Sequence, residues 1–186
     1  MRQLYAIITG IVIALTTTTS GISQTKSMPK EVVTRTVLGC TLGVSNIDQV
    51  METITSNGGS ISDVNFLEIP GLKVLLATNL VFAGEPGMRA IIQFLDNNLA
   101  SIGFVIDSEK DASRIKTSLS NKYKGWKDNG GRLFEPYTGR VKDDKTEVSL
   151  FYYYEDDHNL EFKNAMLVYS DVALFRKIMQ LKDSDL

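Results

Sequence analysis

The stretch MRAIIQFLDNNLASIGFVI, residues 88–106, decides the fold. Apolar side chains alternate with other residues in both of its halves, and they share one face of each half: Ala90, Ile92 and Phe94, then Ile102, Phe104 and Ile106. Asp96-Asn97-Asn98 separates the halves, and these residue types favour tight turns. The stretch therefore predicts an antiparallel hairpin of Met88–Leu95 and Leu99–Ile106, each strand burying one face.

Further strands are predicted on both sides of this hairpin. Residues 61–69 and 72–83 indicate strands joined by the turn Pro70-Gly71, and the second is long enough for one long strand or two short ones. Thr146–Tyr154 alternates again, and Leu160–Tyr169 returns after the turn 155–159. Val148, Leu150, Tyr152 and Tyr154 share one face of the first of these two strands.

Three amphipathic helices are predicted, and each begins at a residue that can cap it. Ser45 and Ser108 each precede an acidic residue by three positions, as in a capping box, and the third helix begins near Ser170 or Asp171. Apolar residues recur at helical spacing behind each cap. They are Ile47, Val50, Met51 and Ile54; Ala112, Ile115, Leu119 and Tyr123; and Val172, Phe175, Ile178 and Met179.

These landmarks repeat along the chain. Ser45, Ser108 and Asp171 lie 63 residues apart, and the order helix, strands, hairpin occurs twice before the last helix. We predict an α+β fold of two tandem helix-plus-antiparallel-sheet units, a possible internal duplication, with the helices packed on one sheet face. The domain is expected to span 36–186, with half-units of about 36–107 and 108–186.

The first residues read as an export signal. Arg2 is followed by the apolar run Leu4–Leu15 and by a small, polar tail to Ser23, the order found in secretory signal peptides. We expect a signal peptide at 1–23, a flexible segment at 24–35, and a periplasmic or secreted protein without a transmembrane span in its mature form. An uncleaved anchor is the alternative interpretation.

The single cysteine allows a different anchor. Val37-Leu38-Gly39-Cys40 looks like the processing motif of bacterial lipoproteins, in which the cysteine is lipid-modified. However, charged residues separate Cys40 from the apolar run, whereas in lipoproteins the cysteine directly follows it. A small, part-buried thiol on a strand is the other interpretation, and an exported chain with one cysteine has no internal disulfide.

A resemblance to known families follows from this arrangement. Two successive helix-and-sheet units in a small exported protein resemble the beta-lactamase-inhibitor-protein architecture, and one unit is similar to outer-membrane assembly lipoproteins of the SmpA/BamE type. Leu38–Gly59, in which Leu42-Gly43-Val44-Ser45 leads into a helix, resembles the Gly-x-Ser entry to the first helix of such modules. The resemblance implies a binding module, and it transfers no functional residue to this chain.

The sequence predicts no catalytic residue, no metal site and no cofactor. His158 is the only histidine, and it lies in a predicted turn with Asp156 and Asp157. This turn, like the pair Asp143 and Asp144, lacks the spacing of known cation sites. Carboxylates on or beside strands leave a small hydrolase open as an alternative: Glu68, Asp107, Glu147 and Glu161.

Charge and aromatic residues suggest what the protein binds. The chain has 20 basic and 22 acidic residues in mixed order, so we expect no nucleic acid partner. Tyr, Trp and Arg often dominate the energy of protein interfaces. We therefore predict a binding surface on the strand around residues 151–154 and on the loop 127–145: Trp126, Arg132, Phe134, Tyr137, Phe151 and Tyr153. Trp126 and Phe134 could instead fill the edge of the core.

These observations together favour an exported, non-catalytic binding protein of the bacterial cell envelope. Its partner would be another protein or an envelope ligand. Two alternatives stay open: a small carboxylate-dependent hydrolase, and a lipid-anchored outer-membrane assembly factor with acylated Cys40.

Overall fold

A computed structural model describes residues 33–64, 69–128, 139–154 and 162–184, which belong to one unit. Within these ranges the chain forms three helices and ten strands. The helices are α1 (Ile47–Ser56), α2 (Glu109–Lys122) and α3 (Val172–Ser184). The strands are β1 (Thr36–Val37), β2 (Cys40–Thr41), β3 (Ser60–Asp63), β4 (Leu72–Phe82), β5 (Glu85–Leu95), β6 (Asn98–Ile106), β7 (Lys127–Asp128), β8 (Gly139–Lys142), β9 (Thr146–Tyr154) and β10 (Phe162–Asp171).

Eight of the strands form one antiparallel sheet in the order β3-β4-β5-β6-β10-β9-β8-β7, and β1 and β2 pair separately. The α+β prediction is thus confirmed. The chain from α1 to β10 has two halves, and each half consists of one helix followed by four strands of the large sheet. The last strands of the two halves, β6 and β10, pair at the centre of the sheet. A duplication of the sequence stays a prediction.

The predicted hairpin is present as β5 and β6. Leu95 pairs with Asn98, so Asp96 and Asn97 form a two-residue turn, and their φ angles are 49° and 65°. Positive φ at both central residues is the geometry that matches the twist of a hairpin, and Asp and Asn tolerate it better than most residues.

The larger hydrophobic core lies on the face of the sheet that α1 and α2 cover, here called the first face. Val50 and Ile54 of α1 and Ile115 and Leu119 of α2 belong to the same buried cluster as Phe104. Phe82 stacks on Phe104 with ring centroids 3.8 Å apart, and Tyr169 meets both rings edge-on. Burial of this size and geometry is the main stabilising contribution to the domain.

The prediction that all helices pack on one sheet face is wrong for α3. Ile178 of α3 belongs to a second buried cluster with Leu72, Val74, Leu95 and Ala100, whose side chains lie on the opposite face, here called the second face. The reason is the alternation of strands: Val74 and Leu75 are neighbours, yet they belong to different clusters because successive side chains point to opposite faces. Of the described helices, none has both the length and the apolar character to cross a membrane.

The helix starts agree with two of the three predicted caps. Ser108 accepts from the Asp111 N–H, and Asp171 Oδ1 accepts from the Ala173 and Leu174 N–H groups at 3.0 and 2.9 Å. The prediction of Ser45 as the first cap is wrong by one residue. Asn46 and Gln49 close a capping box there.

The Ser45 hydroxyl has another role. It accepts a hydrogen bond from the Thr41 N–H at 2.9 Å, within the turn that precedes the helix. Asn46, one residue later, is therefore the side chain placed to satisfy the free N–H groups of the first turn.

The segment before β1 is fixed to the far end of the chain. Arg35 Nη2 lies 2.6 Å from Asp171 Oδ2 and also donates to the Leu42 carbonyl, while Nη1 donates to the Lys145 carbonyl. Val33, which is 1% exposed, donates its N–H to Asp143. The last residues of the segment predicted to be flexible, 24–35, are thus part of the folded domain from Val33 onwards.

Asp143 is a hydrogen-bond acceptor in this region. Burial acts to raise the pKa of its carboxyl group, but N–H donors from Lys145, Thr146 and Val33, together with the charge of Arg35, lower it below its usual range. A carboxylate that receives several backbone N–H groups is held in its ionised form. Asp143 therefore holds the β8–β9 turn and the N-terminal segment together.

Gly43 makes the contact between Arg35 and Asp171 possible. Its φ is +72°, and a Cβ at this position would lie 2.5 Å from both Arg35 Nη2 and Asp171 Oδ2. Gly84 has a similar φ of +83°, but a Cβ there would meet nothing within 4 Å. The two glycines therefore have the same backbone requirement and different surroundings.

We expect Gly43→Ala to lower the free energy of unfolding by about 3 kcal/mol or more, and Gly84→Ala by about 1 kcal/mol. The second variant carries the strain of a positive φ alone, whereas the first also pushes the ion pair apart. Urea unfolding of both variants measures the difference. Equal losses would show that the Arg35–Asp171 contact contributes nothing beyond backbone strain.

Candidate functional site

The structure describes three of the six predicted binding residues. Arg132, Phe134 and Tyr137 lie outside the described residues. Trp126 packs against the core of the first face, whereas Phe151 and Tyr153 line a groove on the second face. The three described residues therefore do not form one surface.

Trp126 lies at the edge of the core, as the alternative interpretation proposed. Its ring lies so close over Gly139 of β8 that a Cβ there would overlap the indole. The indole N–H is buried and has no hydrogen-bond acceptor among the described residues. Gly139 thus provides the space in which the tryptophan ring packs on the sheet.

The aromatic run of β9 divides between the two faces, as its alternation predicts. Val148 and Leu150 are fully buried on the first face, and Tyr152 packs against the same cluster. Phe151 and Tyr153 point to the second face. The sequence left open whether this face would be exposed or lie under a helix, and the structure shows that α3 covers part of it.

Phe151 and Tyr153 line a groove of about 300 Å³ between the second face and α3. Its floor crosses five neighbouring strands, β4, β5, β6, β10 and β9. Apolar side chains dominate the floor, among them Ile91, Met166 and Val168. The volume is at the lower end of the range for small-molecule sites.

One wall of the groove is a stripe along α3. Phe175, Ile178, Met179 and Lys182 recur at the spacing that places side chains on one side of a helix. The sequence predicted the apolar members of this stripe, but not that they would face Phe151 and Tyr153. Lys182 is the charged member, and it lies in the last turn of α3.

Two large apolar side chains face solvent at this groove. Tyr153 of β9 is 44% exposed, and Met179 of α3 is 43% exposed. Burial of the remainder of Tyr153 raises the pKa of its hydroxyl group, so the tyrosine stays neutral near physiological pH. Exposed apolar residues grouped at a concave surface are typical of binding sites.

Small and polar residues in the middle of the floor were not singled out by the sequence. Gly103 lies in β6 between Ile91 of β5 and Val168 of β10. A Cβ at Gly103 would lie 3.2 Å from Met166 Sδ. Beside it, the Ser101 hydroxyl donates to Gln93 Oε1 at 2.8 Å. A glycine inside a central strand was the available signal, because such a glycine often marks a close approach to the backbone.

The described part of the groove offers no pair of carboxylates for hydrolysis, since its lining contains no acidic residue. Asp107 instead pairs with Arg89 at the surface, and Glu147 accepts from the Ser149 hydroxyl. Glu68 and Glu161 lie outside the described residues. Nothing in the described geometry therefore supports the hydrolase alternative.

Metal binding has no support in the described ranges either. There, no group of three or more His, Cys, Asp or Glu side chains could hold an ion. Asp143 binds backbone N–H groups, while Asp156, Asp157 and His158 lie outside these ranges.

Cys40 is a core residue of β2. It is 2% exposed, and burial raises the pKa of its thiol, although a hydrogen bond with Thr53 acts in the opposite direction. Cleavage before Cys40, as in lipoproteins, would also remove Val33, Arg35 and Val37 from the domain. The structure thus favours the interpretation of Cys40 as a thiol on a strand, and the side chain is more fully buried than predicted.

We expect Cys40 to react with a maleimide at neutral pH only after unfolding, because the thiolate is the reactive form and the thiol is inaccessible. A matched control is Ser113→Cys, which adds an exposed thiol on α2. Intact mass spectrometry over time should show rapid addition of one label to the control and none to the native chain. Equal labelling rates at both positions would contradict the buried position of Cys40.

No protein-family model, curated protein or solved structure matches this chain. The likeness to the beta-lactamase-inhibitor-protein and SmpA/BamE architectures therefore stays a prediction. Since a fold does not determine a function, the groove and its chemistry are the basis for assigning one.

Proposed function

We propose that this chain is an exported, non-catalytic binding protein of the bacterial cell envelope, and that the groove between α3 and the second face is its binding site. The observation that carries the proposal is the pair of exposed apolar side chains, Tyr153 and Met179, that line the groove from β9 and α3. Burial of apolar surface is favourable, so the exposed parts of these side chains do not contribute to the stability of the domain. A bound ligand would bury them.

The character of the lining supports binding over catalysis. Apolar side chains provide most of the surface, and the lining holds neither a histidine nor a carboxylate in the described ranges. Met166 and Met179 add flexible thioether side chains, which adapt to ligands of differing shape. Such a surface can hold a ligand but has no general acid–base pair.

Export is supported by the sequence. The apolar run Leu4–Leu15 is too short to span a bilayer as a helix and has the flanks of a cleaved signal. Cleavage after Ser23 would leave the buried residue Val33 and the ion-paired Arg35 in the mature chain. A mature chain beginning at Gln24 is therefore compatible with the whole described domain.

Internal duplication is part of the same proposal. The two halves share the order of one helix and four strands, and the caps of their helices, Asn46 of α1 and Ser108 of α2, are 62 residues apart. Phe104 of β6 pairs with Leu167 of β10, and these residues are also 63 apart. A two-fold relation between the halves would place its axis at this pair.

The proposal is tested by placing a photo-crosslinking phenylalanine analogue at position 153 in the native host. We expect adducts with an envelope component from position 153 and none from position 44, where Val44 is 67% exposed but outside the groove lining. The intact mass of the purified protein should show an N-terminus at Gln24.

Two results would contradict the proposal. Identical adduct patterns from positions 153 and 44 would mean that the groove is not a selective binding site. Recovery of the uncleaved chain from the cytoplasm would contradict export.

A third variant, with the analogue at Val81, is a control for exposure alone. Val81 is 62% exposed on β4 and should also give no adduct.

A further inference from the structure

We propose that the groove binds the hydrocarbon chain of an anionic amphiphile, such as a long-chain carboxylate, with the acidic head group next to Lys182. This inference rests on the proposed function, because it takes the groove as the binding site. It names the chemical class of the ligand, which the proposed function leaves open.

The shape of the groove selects a narrow ligand. Its lining extends across five adjacent strands, and neighbouring strands lie about 4.8 Å apart, so the floor is roughly 19 Å long. A volume of about 300 Å³ over that length is a slot. A helix with its side chains is about 10–12 Å wide, which is more than a slot of this volume and length can hold. A single unbranched chain fits.

The floor of the slot suits a hydrocarbon chain. Ile91, Met166, Val168 and Phe151 present carbon and sulfur atoms to it, and Gly103 presents only backbone. Met166 and Val168 atoms lie 3.2–3.5 Å from the position that a Cβ at Gly103 would take, so their apolar side chains form the floor there. A flexible chain can follow such a surface across the strands and bury its methylene groups one after another.

The charge of the lining selects the head group. Lys182 is the charged residue among the described residues of the lining, and it lies at the C-terminal end of a helical wall that is otherwise apolar: Phe175, Ile178 and Met179. An apolar wall that ends in one ammonium group complements a ligand with an apolar tail and one negative charge. A cationic head group at the same place would meet repulsion.

Lys182 could instead serve the helix alone, since a cation in the last turn interacts favourably with the helix dipole. The two roles predict different results. A lysine that acts only on the helix changes stability without changing which ligand binds. A lysine that pairs with a head group changes the preference between charged and uncharged ligands of equal length.

The test uses the mature chain and three probes with the same tail: dodecanoate, dodecanol and dodecylammonium, each below its micellar concentration. Isothermal titration calorimetry should show the tightest binding for dodecanoate. Lys182→Gln should weaken dodecanoate about twofold to fivefold and leave dodecanol unchanged. Arg176→Gln, which removes an exposed positive charge of α3 outside the groove lining, is the matched control and should change neither.

A second pair of variants tests the floor independently of charge. Gly103→Ala needs Met166 to move by a few tenths of an ångström, and Gly103→Val places a larger side chain in the slot. We expect dodecanoate binding to fall from wild type to alanine to valine, with the melting temperature recorded for each. Unchanged affinity in a folded Gly103→Val variant would overturn the inference.

The outcomes separate this inference from the proposed function. Equal affinity for the three probes, or no effect of Lys182→Gln, overturns the anionic ligand while the groove remains a binding site. Specific crosslinks to a protein from position 153, with no probe bound, also overturn it and leave the proposed function in place. Absence of both probe binding and specific crosslinks contradicts both.

Discussion

The pairing of β6 with β10 is the interaction on which the rest of the structure depends. It joins two four-stranded halves into one sheet, with Ser101–Ile106 matched to Ala165–Ser170 in antiparallel register. Phe104 and Leu167 face each other at its centre on the first face. A shift of β10 by one residue against β6 would move Leu167 to the second face and bring Met166 into the core. The register therefore fixes the core and the groove floor at the same time.

The second face depends on the placement of α3. This helix follows β10 directly, so it begins at the centre of the sheet, and Asp171 both caps it and binds Arg35. Lys177 reaches Asp96 in the β5–β6 turn, which places the middle of the helix beside that turn. Ile178 then packs over Val74 and its neighbours. The groove is the part of the second face beside α3 that the helix does not fill.

Local patterns predicted the elements well, because those elements depend on neighbouring residues. The hairpin at 88–106, the alternation of 146–154 and the cap at Ser108 required only strand period, turn chemistry and side-chain oxygens. The cap at Ser45 failed because Thr41, four residues earlier, engages its hydroxyl. Such competition between two local hydrogen bonds is not visible in a spacing pattern.

The candidate site was predicted only in part, because it depends on contacts between distant segments. Alternation placed Phe151 and Tyr153 on one face, and this required β9 alone. An amphipathic stripe, in contrast, shows which side of a helix is buried but not which face of a sheet buries it, so the α3 wall was missed. Trp126 lies on the other face from Phe151 and Tyr153, because its ring packs over Gly139, a residue without a side chain to indicate this contact.

The link between Arg35 and Asp171 also bears on the order in which the protein folds. The two residues are separated by 136 positions, so the start of α3 cannot be secured until nearly the whole chain is available. The core of the first face includes residues of β10, but it does not require α3. The apolar side chains of the second face stay exposed until α3 packs on them. A chain that emerges N-terminus first would thus complete the groove as its final step of folding, and until then that surface would be the one most in need of protection from aggregation.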